Sequence, residues 1–421
     1  MRVENFQSWH SGDLARVTFR LVWEDSDEPP FDAYLEAFGE AGADLGVSPD
    51  ALAVFALPPA LRFGERRLAL PGRLDSRLAE NLSAVQALFR SWRGYRPLRI
   101  DIEGSTTTRQ TAARAKTAAF LSGGVDACHL LWANRRDFGR THPRSIGECI
   151  HVAGLSYEGD LESPAAASLH RRSLRAVSAI TAAAGASLTI VRTNLKSLAQ
   201  RYTGYGLDYE SAFFAAICHS LARRIGRAQL AATYGIQELH PYGTHPLLTP
   251  LYSSAAVDIE LAGAHRNRQQ KLEELSRWPA ALENLQVCFE GPTPGEILNC
   301  GSCEKCLRTM VGLMLAGRLT DVPAFPRRDV TAADIAACNL GYGQATFRNF
   351  WPQFVEPLAR AGRTDLSRAV SEKLDKIKHA ERWRNDAGLK GRLRRADRAL
   401  LGGRLTAWSR RLRGLERKAA P

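Results

Sequence analysis

The chain has 421 residues, a formal net charge of +13, 45% hydrophobic and 24% charged residues, a composition of folded rather than disordered chains. Its length predicts two or three domains at roughly 150 residues each. No apolar run nears the ~20 residues of a membrane-spanning helix, the first five residues start no signal-type stretch, and eight Cys are too few for a disulfide scaffold; a cytoplasmic, reducing setting is expected.

Residues 1–112 read as a mixed α/β region. Residues 15–23 and 51–57 are apolar, β-rich runs between polar or proline-bearing stretches. Residues 73–92 repeat apolar side chains at helical spacing, at Leu78, Leu82, Val85, Leu88 and Phe89. Residues 95–102 close the region as a strand. No chemical motif stands out in it.

Residues 113–318 alternate short apolar runs with helical stretches, as a parallel sheet with crossover helices does. Strands are expected at 118–121, 150–155, 188–191 and 230–233, and helices at 125–134, 165–184 and 208–225. The expected fold is a doubly wound α/β domain, whose ligand site lies at the carboxyl ends of its strands. Residues 319–421 read as helical. Leu366, Val370, Leu374 and Ile377 share a helical spacing, as do Leu405, Trp408, Leu412 and Leu415, while Gly388, Gly391, Gly402 and Gly403 divide the segment. Residues 361–421 hold 18 Lys and Arg against 7 Asp and Glu, whereas the other 360 residues hold 39 against 37. The basicity belongs to one end.

The most informative local feature is Leu121-Ser122-Gly123-Gly124-Val125-Asp126, where an apolar strand runs through two glycines into a helix. Adjacent glycines let backbone N–H groups approach an oxyanion, and the helix N-terminus favours negative charge. Ser122 adds a hydroxyl, and Asp126 is placed to hold magnesium or steady the loop. The segment lacks both the Walker Gly-Lys-Ser/Thr and the dinucleotide Gly-x-Gly-x-x-Gly.

The second feature is Cys288-x11-Cys300-x2-Cys303-x2-Cys306. Cys-x2-Cys turns present two thiolates to one ion, and four protein ligands imply a closed, structural zinc site. Iron–sulfur ligation uses similar spacing. Cys128, Cys149, Cys218 and Cys338 stand alone in apolar contexts and read as core residues; Cys128, in the turn after the loop, is the one position where a stabilised thiolate is conceivable.

The glycine segment resembles the PP-loop of N-type ATP pyrophosphatases, Ser-Gly-Gly-x-Asp-Ser/Thr, with Ala127 replacing the final hydroxyl residue. Together with the cysteine cluster, and with the Pro and Gly between Cys288 and Cys300, it resembles 7-cyano-7-deazaguanine synthase and its relatives over about half of the chain. The resemblance implies ATP, Mg2+ and Zn2+ as cofactors. It implies adenylation of a carboxylate on a deazaguanine-like heterocycle, then displacement of AMP by ammonia or by an amine on a partner protein, giving an amide or nitrile. Larger relatives of the synthase occur in antiphage-defence and biosynthetic gene clusters, and this chain looks more like those. An Arg-Asn pair expected before the third crossover helix is absent; residues 203–210 replace it, and residues 234–246 resemble the substrate loop only loosely. Both stretches follow strand ends and suggest a changed substrate or acceptor.

Lys271 lies in the run that also holds Arg266 and Arg268, and the resemblance places a family Lys near this position, where a cation would stabilise an α-phosphate transition state. His240 and His245 flank a Pro-Tyr-Gly-Thr turn and are open to substrate contact or base chemistry; Glu210 opens a helix, where it favours the dipole or serves catalysis. Two alternatives stay open: adenylation of a tRNA base, which the basic tail would serve, and a nucleotide-binding scaffold, which Ala127 would suit. With only Trp383 and Trp408 as aromatics after residue 360, the tail reads as a protein-docking surface at least as well as a nucleic-acid one. A homodimer is compatible with all of this.

Overall fold

The computed structural model describes residues 1–46, 48–108, 111–112, 115–155, 164–200, 204–288, 297–338 and 344–385. It divides into two compact units, Met1–Val330 and Thr331–Pro421.

The first unit contains β1 (Arg2–Ser11), β2 (Leu14–Val22), β3 (Phe31–Phe38), β4 (Arg67–Leu70), β5 (Arg99–Ile102), β6 (Lys116–Phe120), β7 (Ile146–Ala153), β8 (Ser187–Thr193), β9 (Ile225–Ala231) and β10 (Asp258–Ala262). Its helices are α1 (Pro49–Arg62), α2 (Ser76–Arg93), α3 (Val125–Asp137), α4 (Pro164–Ala184), α5 (Leu195–Gln200), α6 (Glu210–Ser220), α7 (Arg268–Leu275), α8 (Pro279–Glu283) and α9 (Glu304–Leu315).

Among the described residues the ten strands form one sheet, in the order β10-β9-β6-β7-β8-β3-β2-β1-β4-β5. From β10 to β8 all neighbours are parallel. The chain runs from β6 outward to β7 and β8, then returns to the other side of β6 for β9 and β10. Loops at such a reversal leave in opposite directions and open a crevice at the carboxyl ends of the strands. Here that place lies between β6 and β9.

The division expected at residue 112 lies inside this sheet. β3 pairs antiparallel with β8 through Leu35–Thr193, Glu36–Arg192 and Ala37–Val191, β2 and β1 continue antiparallel, and β4 and β5 finish the edge in parallel. The compact boundary at Val330 falls near the second expected division.

Within the first unit the expected strands and helices are present, with shifted ends, apart from one. Residues 51–57, expected as a strand, are the middle of α1. Ser48 caps that helix by accepting from Ala51 N at 3.1 Å, Pro49 occupies its first turn, and Ala51 through Leu57 are all buried. An apolar run without polar alternation suits a helix buried on every side as well as a strand. In α2 the sequence pattern matches: Asp75 caps it, Leu78, Leu82, Val85 and Phe89 are buried, and Gly94 closes it in the left-handed region. No helix among the described residues is long and apolar enough to cross a membrane.

The second unit contains α10 (Ala332–Ala337), α11 (Gln344–Phe350), α12 (Pro352–Arg360) and α13 (Thr364–Asn385). Phe347, Trp351, Phe354, Leu358, Leu366, Val370, Leu374 and Ile377 are buried, which accounts for the spacing noted in α13. Lys373 Nζ donates to Ile335 O, Ala336 O and Cys338 O at 2.7, 3.2 and 2.8 Å, capping the C-terminal end of α10. The second helical pattern, at 405–415, and the four glycines from 388 to 403 lie outside the described residues.

Candidate functional site

The glycine loop sits at the reversal of strand order. Leu121 N donates to Ile150 O at 2.8 Å, which ties the start of the loop to β7. Gly123 has φ +78°, a conformation costly for any residue with a Cβ. Gly124 caps α3 without a side-chain bond to the helix, and its own N–H donates to Ser122 Oγ at 3.3 Å. Among the described residues no side chain caps the first turn of α3, whose backbone donors are then arranged to suit an anion.

Asp126, in that first turn, accepts from Arg268 Nη1 at 2.6 Å and from Lys271 Nζ at 3.1 Å. Lys271 also donates to Ala232 O, immediately past β9, and is 1% exposed. The cluster thus bridges the two strands that flank the reversal. Burial works to raise the Asp126 carboxyl, but Lys271 and then Arg268 outweigh it and hold the group down at about 2. Both carboxylate oxygens are already engaged, so Asp126 positions cations as its first task. Arg266, from the same run, turns instead to Glu274 at 2.6 Å, a residue that also meets His129 at 3.1 Å and Arg136 at 3.2 Å.

Two further cations come from α9. Lys305 and Arg308 interact electrostatically with Asp126, and Glu304 lies 3.3 Å from Arg308. Burial first, then Arg308 and Arg268, pull the Lys305 ammonium down to about 7; burial likewise lowers Arg308 to about 10. Nothing local marks Lys305 in the sequence, where it reads as a spacer between two cysteines. Gly312 lets α9 approach α7, since a Cβ there would stand 2.4 Å from Leu272 Cδ1. That close packing brings the cations of the two helices together.

The cysteine cluster anchors this helix. Cys303 is its N-cap, and Cys288, Cys300, Cys303 and Cys306 place their sulfurs within 4.8 Å of one another. The Cys288–Cys303 and Cys300–Cys306 separations are 3.9 and 3.8 Å, against about 3.8 Å for sulfurs around tetrahedral zinc with 2.3 Å bonds. Cys300 Sγ also accepts from Ser302 N and Cys303 N at 3.4 and 3.3 Å. Four thiols in this geometry can hold a metal such as zinc. The segment that leads into Cys288 also touches the loop, because Gln286 N donates to Gly123 O at 2.9 Å. A metal here would therefore steady the glycine loop and α9 together.

Glu210 begins α6 after a π-helical turn at Tyr205–Tyr209. Burial pushes its carboxyl up to about 7, with Asp126 adding to the rise, while Lys305 and the Thr244 hydroxyl at 3.4 Å oppose it. His240 is not bonded to the cation cluster. Its Nδ1 lies 2.9 Å from Glu238 O, and its ring packs with Tyr234 and Tyr242 at 4.5 and 5.7 Å. His245 is buried against Trp92, 4.9 Å away, and accepts from Leu247 N; burial lowers it, with His240 adding to the effect. The four isolated cysteines are buried. Burial drives the Cys128 thiol far upward, so Cys128 stays a neutral core thiol and not the stabilised thiolate expected after the loop.

No protein-family model matches the chain, and neither the curated proteins nor the solved structures yield a match.

Proposed function

We propose that the chain is an ATP-dependent, AMP-forming ligase with a doubly wound PP-loop domain, acting on a heterocyclic carboxylate such as 7-carboxy-7-deazaguanine. One observation carries the reading: the glycine loop after β6 meets Asp126, Arg268 and Lys271 where the strand order reverses. Backbone donors and a surplus of buried cations fit a polyphosphate.

In this reading the loop from Leu121 to Val125 holds the pyrophosphate end of ATP. The substrate carboxylate attacks the α-phosphorus, an O–P bond forms, and the bond to pyrophosphate breaks. Lys271 and Arg268 neutralise charge that develops there, and Asp126 keeps both in place. Ammonia, or an amine on a partner protein, then attacks the acyl carbon; the C–N bond forms and AMP leaves. The mixed anhydride makes this possible because a free carboxylate resists an amine, provided that water is kept out. A second ATP would drive loss of water from the amide to give a nitrile. The ring cluster of Tyr234, His240 and Tyr242 follows β9 and suits the heterocycle's side of the site. Since Asp126 is taken up by two cations, magnesium is assigned to the phosphates of the nucleotide and no protein step passes through it. Zinc on the four cysteines has a structural part only.

The test is incubation with ATP, Mg2+ and 7-carboxy-7-deazaguanine, with and without ammonia, followed by mass analysis. Substrate-dependent AMP and pyrophosphate in equal amounts support the proposal. ATP binding without AMP, whatever carboxylate and amine are supplied, would leave a nucleotide-binding protein and overturn the ligase assignment.

A further inference from the structure

His151 lies near the carboxyl end of β7 and is 4% exposed. Its Nδ1 is 2.9 Å from Leu121 O, the carbonyl of the residue that opens the glycine loop. A carbonyl only accepts, so Nδ1 carries the proton and Nε2 of the neutral ring presents a lone pair. Burial keeps the ring neutral, and His170 acts in the same direction against the Leu121 contact. Nε2 is buried and has no hydrogen-bond partner among the described residues. Buried polar atoms are paired in the great majority of cases, so an orphan beside a ligand loop points to a ligand.

The position narrows what that ligand group is. The ring is fastened to Leu121 on the β7 side of β6, while Asp126 and Lys271 reach toward β9 on the other side. A nucleotide held at the loop by its phosphates can lay its nucleoside over β7 and leave the β9 side to the second substrate. We propose that His151 Nε2 accepts a hydrogen bond from the nucleoside of the bound nucleotide and thereby selects a base or sugar that carries a donor there. The inference rests on the reading of the loop as an ATP site. Adenine offers its exocyclic amine, whereas guanine offers a carbonyl oxygen at that edge, which faces a lone pair unfavourably. A ribose hydroxyl is the other donor on the same molecule.

The experiment is equilibrium binding of ATP, GTP, purine riboside triphosphate, 2′-deoxy-ATP and 3′-deoxy-ATP to the full chain. Wild type is compared with His151→Asn and His151→Gln, with melting curves confirming that both are folded. Asn places an amide where Nδ1 was and keeps the bond to Leu121 without reaching the Nε2 position; Gln restores an acceptor there. Wild type should prefer ATP by about tenfold over the purine analogue or over one deoxy analogue, the size of one lost hydrogen bond. The analogue that responds identifies the amine or the hydroxyl. His151→Asn should erase the preference and His151→Gln should return it. If ATP binds and Asn leaves every preference intact, or wild type has none, the role of His151 is overturned while the loop reading stands. If wild type binds no triphosphate, both are overturned.

Discussion

The parallel strands carry a buried ionic cluster at each end, and the two differ in kind. At the amino ends, Glu148 is fully buried and accepts from Lys116 at 2.9 Å, Ser187 at 2.8 Å, Thr189 at 2.5 Å and Arg224 at 3.1 Å. Arg224 also meets Asp44 at 3.5 Å. Acids and cations there are close to balance, as in a structural network. At the carboxyl ends, Asp126 and Glu304 face Arg268, Lys271, Lys305 and Arg308, beside backbone donors that no side chain among the described residues caps. Charge of one sign is left over. The first cluster spends its charge within the fold, whereas the second has positive charge to spare, as the proposed nucleotide site requires.

The largest expected effect lies outside both clusters, in the element that anchors the second one. Cys303→Ser should lose the metal, measured as zinc per chain, and with it ATP binding, because structural zinc contributes on the order of 10 kcal/mol to its fold. Retained ATP affinity in a metal-free protein would break the link from Gln286 to Gly123. Next is Glu148→Gln, which strands Lys116 and Arg224 and should cost about 3–5 kcal/mol in denaturant unfolding, with ATP affinity unchanged where the protein remains folded. Lys271→Met should do the reverse, lowering AMP formation by about 100-fold or more with a smaller change in stability. Equal effects of these two variants on stability and on activity would erase the distinction between the clusters.

A subtler separation comes from acid. The Asp126 carboxyl is held at about 2 in the folded chain against 3.8 ordinarily. A depressed carboxyl stabilises above its unfolded value, and that stability is lost as pH falls from about 4 to about 2. Asp126→Asn should therefore flatten unfolding stability over that window, as followed by circular dichroism. The smallest expected effect is Gly123→Ala, about 1 kcal/mol for a Cβ at positive φ, read as a melting shift.

What the sequence revealed follows the range of each signal. The cysteines and the glycine loop were legible because their chemistry lies in short spacings, and β6 to β9 because apolar runs alternate with helices. The join of β3 to β8 was not, since Leu35 and Thr193 pair across nearly half of the unit and no local pattern marks it. β1 was hidden because nearly all of its residues are exposed or half-buried, leaving no alternation to read. Arg308 and Lys305 became visible as site residues only when α9 packed on α7. His151 stands out only as a buried atom with no partner among the described residues.

The central claim is that the cluster at the carboxyl ends is a nucleotide site organised by the glycine loop. Equilibrium titration of ATP against the full chain, beside Lys271→Met and Gly123→Val, tests it most directly. The account predicts one ATP per chain for the wild type and loss of binding in both variants, each still folded. Binding that survives both substitutions, or no binding by the wild type, would contradict it.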